Sequence, residues 1–517
     1  MSRIWSTRVL LVVFALAAGL RLWAATQLPL SGDEAYHWEW SRRLAGAYYD
    51  HPGLTAWLIA SSEHVWPWRG ELAVRLPAFC CAVAATLIAR GFARDLARGQ
   101  GVAADGVRRA GQVAAALVFF APLPAALSVY MSTDPPLLPL WLGAVWALYR
   151  ALDRGGFAAW IACGALVGAA LDTKLLALSL LGTCAAALFL HRDARRWLAR
   201  LPPWLALATV GLVASPMLWW NAHHDWSTFR FNFGIRQRTQ TASMLHPLVF
   251  LAGQAGIVTP GFLVLAVRAC AGRAMRRRPA DLAVALGALL PLAFFALVSL
   301  RREVGAHWTA APWLVAFVVL AVAMAQGPEW TRQAWSRWAW RSSWVLSIVV
   351  LVLAHVFAAA PRTFGSLDVV RGQPRRVLRN LFGWSEIGQR ASTVAAELRR
   401  QQAEPRGVFL MSNQYGTTAA LAFYTPEQPL VQLWSAPRSH GRSYFEWADW
   451  QALAGQDAVY VSKHELEAWE LPFLREHFAD AGEIELVPIE RDGVVLNRFF
   501  LVRCRGFSGR QPFPLPR

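Results

Sequence analysis

The stretch SGDEAYHWEWSRRLAGAYYDHPG, residues 31–53, directly follows the first long apolar segment of the chain and sets acids and histidines among Tyr and Trp rings. Ser31 and Glu34 have the spacing of a capping box, which predicts that a helix begins at Ser31. Pro52 is favoured at a first helical position and predicts a second short helix, with an Asp-His pair at its N-terminus. We therefore expect two helices at the membrane–water interface and not a simple connecting loop.

The chain around this stretch has the composition of a multi-pass membrane protein. Its 517 residues are 56% hydrophobic and only 16% charged, whereas soluble domains carry about 25% charged residues. Apolar blocks long enough for a transmembrane helix recur up to residue 360 and predict about eleven spans. These blocks lie near 9–28, 72–89, 112–130, 137–152, 157–172, 175–190, 203–220, 246–268, 281–300, 308–325 and 343–360. The first block is predicted to be an uncleaved anchor, because Arg21 interrupts it and many spans follow.

The formal net charge of +18 comes mostly from arginines between the apolar blocks. In a soluble protein this charge would indicate nucleic-acid binding. Here arginine-rich loops alternate with arginine-poor loops, which is the positive-inside pattern, so membrane topology accounts for the charge without nucleic acid. The pattern predicts a cytoplasmic N-terminus. The pattern also places the loops 31–71, 131–136, 221–245 and 301–307 outside the cytoplasm, together with everything after about 361, which we expect in a periplasm.

Two domains are predicted: a membrane domain over residues 1–360 and a C-terminal domain of ordinary soluble composition over 361–517. In the C-terminal domain, strands alternate with helices, which is typical of a small α/β fold. The predicted strands are GVFLMS (407–412), DAVYVS (457–462) and RFFLVRC (498–504), and the predicted helices are TTAALAFY (417–424) and ADWQALA (448–454). The predicted fold class is therefore mainly α, a polytopic membrane protein with a small extracytoplasmic α/β domain.

Other predicted outer loops carry ionisable groups at positions where charges are expensive and mostly functional or paired. Asp134 precedes two prolines, and Asp172 and Lys174 interrupt an apolar run. Two simpler interpretations stay open: Asp134 only ends its loop, and Asp172 pairs with Lys174. Cations kept in outer loops against the positive-inside rule indicate a bound anion. These cations are Arg230, Arg236 and Arg238. His307 lies in a later stretch, 299–313, beside further charged residues.

Acids on the first outer loop together with cations on the others suit an enzyme that uses a lipid-linked phosphate. Arginine and lysine would hold the phosphate, and helix N-termini would add backbone N–H donors. A carboxylate would take a proton from an acceptor hydroxyl. For the first two acids a structural interpretation also stays open, in which Glu34 only caps the helix and Asp33 only complements its dipole.

Several stretches together resemble the GT-C membrane glycosyltransferases, in the bacterial group related to ArnT and to protein O-mannosyltransferases. They are GDEAYHWEWSRRLAGAYYDHPGLTAWLI, ELAVRLPA, STDPPLLPLW, DTK and SPMLWWNAHHDWSTFRF. The resemblance covers the membrane part and, more loosely, the C-terminal domain. It implies the GT-C architecture and an inverting transfer of sugar from a polyprenyl phosphate, such as undecaprenyl phosphate, on the periplasmic face. The sequence has no P-loop or dinucleotide fingerprint, which agrees with a donor that is not a nucleotide sugar.

The resemblance also implies roles for individual residues. Asp33 matches the catalytic aspartate of the family, with Glu34 beside it, and would deprotonate the acceptor. Asp50 and His51 match an acidic–basic pair that is Glu-Lys in ArnT-type enzymes, so Lys174 would supply the cation that His51 lacks when neutral. The remaining candidates for binding the donor phosphate or the substrate are Arg75 of the Arg-Leu-Pro motif, Asp134, Arg230, Arg236, Arg238 and His307.

The sequence fixes no cofactor. Its six cysteines have neither disulfide nor metal spacing. Some relatives bind a divalent metal, and Asp50, His223 and His224 are candidate ligands without a diagnostic spacing. The expected partners are a polyprenyl-phosphate sugar, a glycolipid acceptor such as lipid A or LPS core (or another glycan or a protein), and membrane lipids, but no nucleic acid. Alternatives are a protein O-mannosyltransferase-like enzyme, a non-enzymatic polyprenyl-phosphate carrier or transporter, and an assembly subunit with a decayed site.

Overall fold

The computed structural model of the chain describes residues 7–65, 70–236, 243–276, 278–326, 329–360, 380–434, 442–491 and 494–512. The chain forms two compact units. The membrane unit contains the residues up to Ala25 and Leu44–Val356, and the C-terminal unit contains Thr26–Arg43 and the residues from Phe357 onward. The sequence predicted one boundary, after residue 360. The division between Arg43 and Leu44 adds a second boundary that no sequence pattern indicated.

The membrane unit is built from helices. In chain order, the helices up to residue 359 are α1 (Thr7–Gln27), α2 (Gly32–Ser41), α3 (Leu54–Val65), α4 (Glu71–Arg98), α5 (Ala104–Phe120), α6 (Pro122–Leu127), α7 (Asp134–Arg154), α8 (Phe157–Leu171), α9 (Leu178–Leu190), α10 (Arg192–Arg195), α11 (Leu201–Val213), α12 (Ser215–His223), α13 (Ser227–Arg230), α14 (His246–Val258), α15 (Pro260–Ala274), α16 (Pro279–Ser299), α17 (Ala310–Ala325), α18 (Glu329–Arg332) and α19 (Ala334–Ala359). Of these, α2 lies in the C-terminal unit.

Among the described residues, five helical segments are long and apolar enough to span a membrane. They are Arg8–Gln27, α4, α16, Ala306–Ala325 and α19, and three bent helix pairs raise the number to eight if each pair is one span. The chain is therefore a multi-pass membrane protein, but the predicted count of about eleven spans is not confirmed. One reason is helix length, because the apolar blocks at 112–130 and 157–172 fall on α5 and α8, which have 17 and 15 residues.

Small residues let the membrane helices approach closely, as in other helix pairs that pack without a hydrophobic driving force. Helices α8 and α11 show this most clearly. A Cβ atom built on Gly164 would lie 2.2 Å from the carbonyl oxygen of Ala206, and one on Gly168 would lie 2.8 Å from Cβ of Val213. An alanine at Gly164 would therefore force these two helices apart.

The C-terminal unit contains one mixed sheet with helices around it. Its further elements are α20 (Trp384–Gln401), β1 (Val408–Ser412), α21 (Tyr415–Tyr424), β2 (Val431–Leu433), α22 (Tyr444–Trp447), β3 (Asp457–Ser462), α23 (Glu470–His477), β4 (Phe478–Arg491) and β5 (Val494–Phe507). The strand order is β2-β1-β3-β5-β4. The pairs β1–β2 and β1–β3 are parallel, and β5 pairs antiparallel with both β3 and β4. The predicted fold class, mainly α with a small C-terminal α/β region, is confirmed.

Two local predictions are wrong. The segment 448–454 is not a helix: residues 450–454 form turns, with main-chain hydrogen bonds between residues three apart, such as the bond from the N–H of Ala454 to the carbonyl oxygen of Gln451 at 3.1 Å. The helix predicted to begin at Pro52 begins at Leu54. Pro52 instead forms an antiparallel bridge with Ala47, which closes a tight hairpin before the helix.

Candidate active site

The first acidic pair lies at the start of α2, where the capping box separates the environments of the two carboxylates. The Ser31 hydroxyl accepts a hydrogen bond from the N–H of Glu34 at 3.2 Å, and the Glu34 carboxylate accepts one from the N–H of Ser31 at 3.0 Å. The predicted capping box and the helix that it starts are thus confirmed. Glu34 is buried by this arrangement, whereas Asp33 is exposed. Of the two acids, Asp33 is the one whose carboxylate solvent can reach.

Side chains anchor α2 to the rest of the C-terminal unit. The Tyr415 hydroxyl, at the first residue of α21, donates a hydrogen bond of 2.6 Å to Oδ1 of Asp33. At the other end of α2, Arg42 and Arg43 form local ion pairs with the buried Glu39 carboxylate at 2.9 and 2.6 Å, and Arg42 also donates a hydrogen bond of 2.8 Å to the carbonyl oxygen of Gln428. Burial, followed by the nearby Glu39 charge, raises the pKa of the Tyr444 phenol well above its ordinary value. Tyr444 is therefore neutral at physiological pH.

The second acidic stretch, residues 46–53, is a hairpin in the membrane unit, which we call the Asp50 hairpin. Its backbone is held by side chains of the segment that follows α12. Thr228 donates a hydrogen bond to the carbonyl oxygen of Tyr48 at 2.7 Å, and the Asn232 amide donates one to the carbonyl oxygen of Asp50 at 2.8 Å. Asp50 itself is fully buried. The hairpin therefore fixes the position of His51, the residue that follows.

Lys174, just after α8, pairs with a carboxylate at the start of α7. Its ammonium group donates a hydrogen bond of 2.8 Å to Oδ1 of Asp134, and Nε2 of His307 lies 3.8 Å from Oδ2 of the same carboxylate. Asp134 is only 4% exposed, so its charge requires such partners. Lys174 therefore pairs with Asp134 and not with Asp172. The carbonyl oxygen of Asp172 accepts a hydrogen bond from the N–H of Leu54 at 2.9 Å.

A cavity of about 710 Å³ opens beside these groups within the membrane unit. Its polar wall contains three basic side chains, His51, Lys174 and Arg236. A further part of the wall contains Arg302 with Glu303. Ser179 and Asn232 also line the cavity. Most of the remaining wall is apolar and includes Leu175, Leu176, Leu178, Leu290, Pro291, Phe294, Phe295, Val298 and Trp308. Basic side chains in a largely apolar cavity can accept an amphipathic anion, with its charge on the basic groups and its hydrocarbon along the wall.

Comparison with known proteins indicates the architecture and the activity class of the chain. Residues 50–220 match the family described as dolichyl-phosphate-mannose-protein mannosyltransferase. The lipid A galacturonosyltransferase RgtD of Rhizobium johnstonii is 25% identical over 435 residues, which cover 83% of this chain and 85% of RgtD. ArnT from Cupriavidus metallidurans bound to undecaprenyl phosphate superposes with a TM-score of 0.61 at 15% identity over 96% of this chain and 98% of ArnT. The chain is a glycosyltransferase with the GT-C fold of ArnT. The apo structure of the same ArnT superposes with a TM-score of 0.59.

Several predicted site residues of this glycosyltransferase lie away from the cavity wall. Arg75 is buried and donates a hydrogen bond of 2.8 Å to the carbonyl oxygen of Ala25, a contact that joins α4 to α1. Arg230 is exposed at the end of α13. Arg238 lies outside the described residues. Of the three arginines predicted from the outer loop, the structure thus brings Arg236 to the cavity.

The candidate metal ligands do not form a metal centre. Nδ1 of His223 and Nδ1 of His224 each lie 2.8 Å from the carbonyl oxygen four residues earlier, and the His224 ring stacks on Trp220 with a centroid distance of 4.0 Å. Within the part of the chain that the structure describes, no group of three or more His, Cys, Asp or Glu side chains is arranged to hold a metal ion. The arrangement of these residues does not fit a metal ion.

The structure also adds residues that the sequence did not single out. Asn232 belongs to a five-residue π-helical segment, Phe231–Ile235, and both lines the cavity and supports the Asp50 hairpin. π-helical segments are rare and frequent at functional sites, but no sequence pattern marks them. Tyr415 could not have been found from the sequence, because it meets Asp33 across 382 positions of the chain.

Proposed function

We propose that this glycosyltransferase transfers a sugar from a polyprenyl-phosphate donor to a glycolipid such as lipid A or LPS core, with inversion at the anomeric carbon. The observation that carries the proposal is the cavity with His51, Lys174 and Arg236 in a largely apolar wall. A nucleotide sugar has no long hydrocarbon chain that such a wall would contact. The comparisons support the proposal, since one relative is named a lipid A galacturonosyltransferase and one ArnT structure contains undecaprenyl phosphate.

In this proposal, the basic side chains of the cavity bind the donor phosphate and stabilise it as the leaving group. Lys174 and Arg236 supply permanent positive charge, and His51 adds a hydrogen-bond donor. Negative charge grows on the phosphate as the bond to the anomeric carbon breaks, so fixed cations stabilise the transition state more than the ground state. The ion pair with Asp134 positions the Lys174 ammonium group before the donor binds.

Asp33 is the proposed general base. It would take the proton of the acceptor hydroxyl as that oxygen attacks the anomeric carbon, or orient the acceptor if its nucleophile is already a phosphate. The polyprenyl phosphate is displaced in the same step, and this single displacement inverts the configuration of the anomeric carbon. The exposed position of the Asp33 carboxylate and the capping role of Glu34 support this assignment of Asp33 over Glu34.

The proposed location is a bacterial inner membrane, with a cytoplasmic N-terminus and a periplasmic C-terminal unit. The alternation of arginine-rich and arginine-poor loops supports this orientation. Reporter fusions after Gln326 and after Arg510 should give cytoplasmic and periplasmic signals respectively.

Transfer in a purified system tests the function. The full chain in nanodiscs would be supplied with undecaprenyl-phosphate-linked sugars, beginning with galacturonic acid, and with lipid A, core oligosaccharide or an acceptor peptide. We expect a glycoside on lipid A or core, detected by mass spectrometry, and loss of the same mass from the LPS of cells that lack the gene. A glycosylated peptide would favour the protein-acceptor alternative. Donor movement without any glycoside would indicate a carrier, and direct use of a nucleotide sugar would contradict the proposal.

A further inference from the structure

The two oxygens of the Asp33 carboxylate have different surroundings. Oδ1 accepts the hydrogen bond from the Tyr415 hydroxyl at 2.6 Å, which is the length of a strong hydrogen bond to a charged acceptor. Among the described residues, none donates a hydrogen bond to Oδ2. The hydrogen bond to Oδ1 restricts rotation of the carboxylate and leaves Oδ2 as the oxygen that can accept a further proton.

The backbone holds Tyr415 and Asp33 together within the C-terminal unit. Gly32 immediately precedes Asp33, and Gly416 immediately follows Tyr415. A Cβ atom on Gly32 would lie 2.8 Å from Cα of Gly416, so the main chains of α2 and α21 touch at this point. The two glycines in contact are the sequence neighbours of Asp33 and Tyr415. The backbone therefore limits how far the phenol and the carboxylate can move apart.

A cation lies over the Tyr415 ring. The guanidinium carbon of Arg442 is 3.7 Å from the ring centroid, well within the range of a cation–π contact. A positive charge at the ring face favours electron withdrawal from the phenol oxygen, which makes the hydroxyl a stronger hydrogen-bond donor. Arg442 has a φ of 51°, a left-handed conformation that is uncommon for a residue with a side chain and is enriched at functional sites.

We propose that Tyr415 is a positioning residue for catalysis, which orients the Asp33 carboxylate so that Oδ2 faces the acceptor hydroxyl. This inference rests on the proposed function, in which Asp33 is the general base. It gives the C-terminal unit a direct part in the chemistry, because the residue that orients the base comes from α21 and not from a membrane helix.

Tyr415→Phe tests the inference in the full chain in nanodiscs, with an undecaprenyl-phosphate-linked sugar and lipid A. Loss of a hydrogen bond to a charged group should lower kcat about 10-fold. The KM values for donor and acceptor should stay within about 2-fold, because no binding contact is removed. In an Asp33→Asn background the same substitution should change kcat by less than about 2-fold, since residues that act as a unit are not additive.

Tyr424→Phe is the matched control. Tyr424 ends the same helix, and its hydroxyl accepts a hydrogen bond of 2.6 Å from the N–H of Leu30 in the same N-terminal segment. It should lower thermal stability about as much as Tyr415→Phe but leave kcat unchanged. Equal kcat losses in the two variants, or full additivity with Asp33→Asn, would overturn the positioning role while the proposed function stands. Full turnover by Asp33→Asn alone would overturn the positioning role together with the assignment of the base.

Discussion

The two halves of the segment 26–53 carry similar residues but are built in different ways. Residues 26–43 form a capped helix in the C-terminal unit, and side chains from distant parts of that unit hold it. Residues 44–53 form the Asp50 hairpin in the membrane unit, and side chains after α12 hold its main chain. The first half leaves its leading carboxylate exposed, while the second buries its carboxylate completely.

From this difference we expect the two halves of the segment to have different functions. An exposed carboxylate with a single defined hydrogen-bond donor is suited to accept a proton. A buried carboxylate in a tight hairpin is suited to maintain backbone geometry, here that of His51 at the cavity wall. We therefore expect substitutions in the first half to lower turnover and substitutions in the second half to weaken donor binding or stability.

The largest expected effect comes from Asp33→Asn. It removes the proposed base without a change of shape, so kcat should fall at least about 100-fold while the melting temperature stays close to that of the wild type. Steady-state transfer to lipid A and a thermal melt in detergent measure the two quantities. Asp105→Asn, at an exposed carboxylate that pairs with Arg108 at 3.1 Å, is the control and should have no effect on kcat. If Asp50→Asn lowers kcat as strongly as Asp33→Asn and leaves the melting temperature unchanged, the two halves do not have different roles.

The next effect concerns Lys174. Lys174→Ala should raise the donor KM at least about 10-fold. It also leaves the Asp134 carboxylate buried without its ammonium partner, and breaking a buried pair in this way costs about 3–5 kcal/mol of stability.

A second variant separates these two effects of Lys174. The double substitution Lys174→Met with Asp134→Leu removes both charges and should restore the melting temperature but not the donor KM. Lys463→Met changes the only other lysine of the chain and should leave the donor KM as it is. An unchanged donor KM in well-expressed Lys174→Ala would mean that Lys174 serves only the ion pair.

The smallest effects come from one glycine in each half. A Cβ atom on Gly32 would lie 2.8 Å from Cα of Gly416, and one on Gly46 would lie 2.2 Å from the carbonyl oxygen of Pro216. Forced overpacking of this kind typically costs about 1–3 kcal/mol. Gly32→Ala should lower kcat several-fold, whereas Gly46→Ala should raise the donor KM. Gly482→Ala, whose new Cβ atom would approach only the carbonyl oxygen of Arg503 at 3.5 Å, is the control. If both glycine variants changed the same kinetic constant, the two halves would not be functionally distinct.

Local patterns predicted much of the fold. The capping box of Ser31 and Glu34 involves residues three apart, and the structure forms it as predicted. The strands at 407–412 and 457–462 were predicted from short apolar runs between turn residues, and both are present. Local evidence failed at two predicted helix positions. Residues 450–454 form turns and Pro52 joins the hairpin, and neither outcome follows from helix propensity alone.

The sequence by itself determined that this is a multi-pass membrane protein with a small C-terminal α/β region, where α2 begins, and which family it resembles. These properties follow from composition and from spacings of a few residues, which hold in any packing of the chain. Only the tertiary structure decided the partner of each ionisable group, Tyr415 for Asp33 and Asp134 for Lys174. Such pairs join positions far apart in the sequence. Their formation depends on how whole helices pack, and no local spacing encodes that.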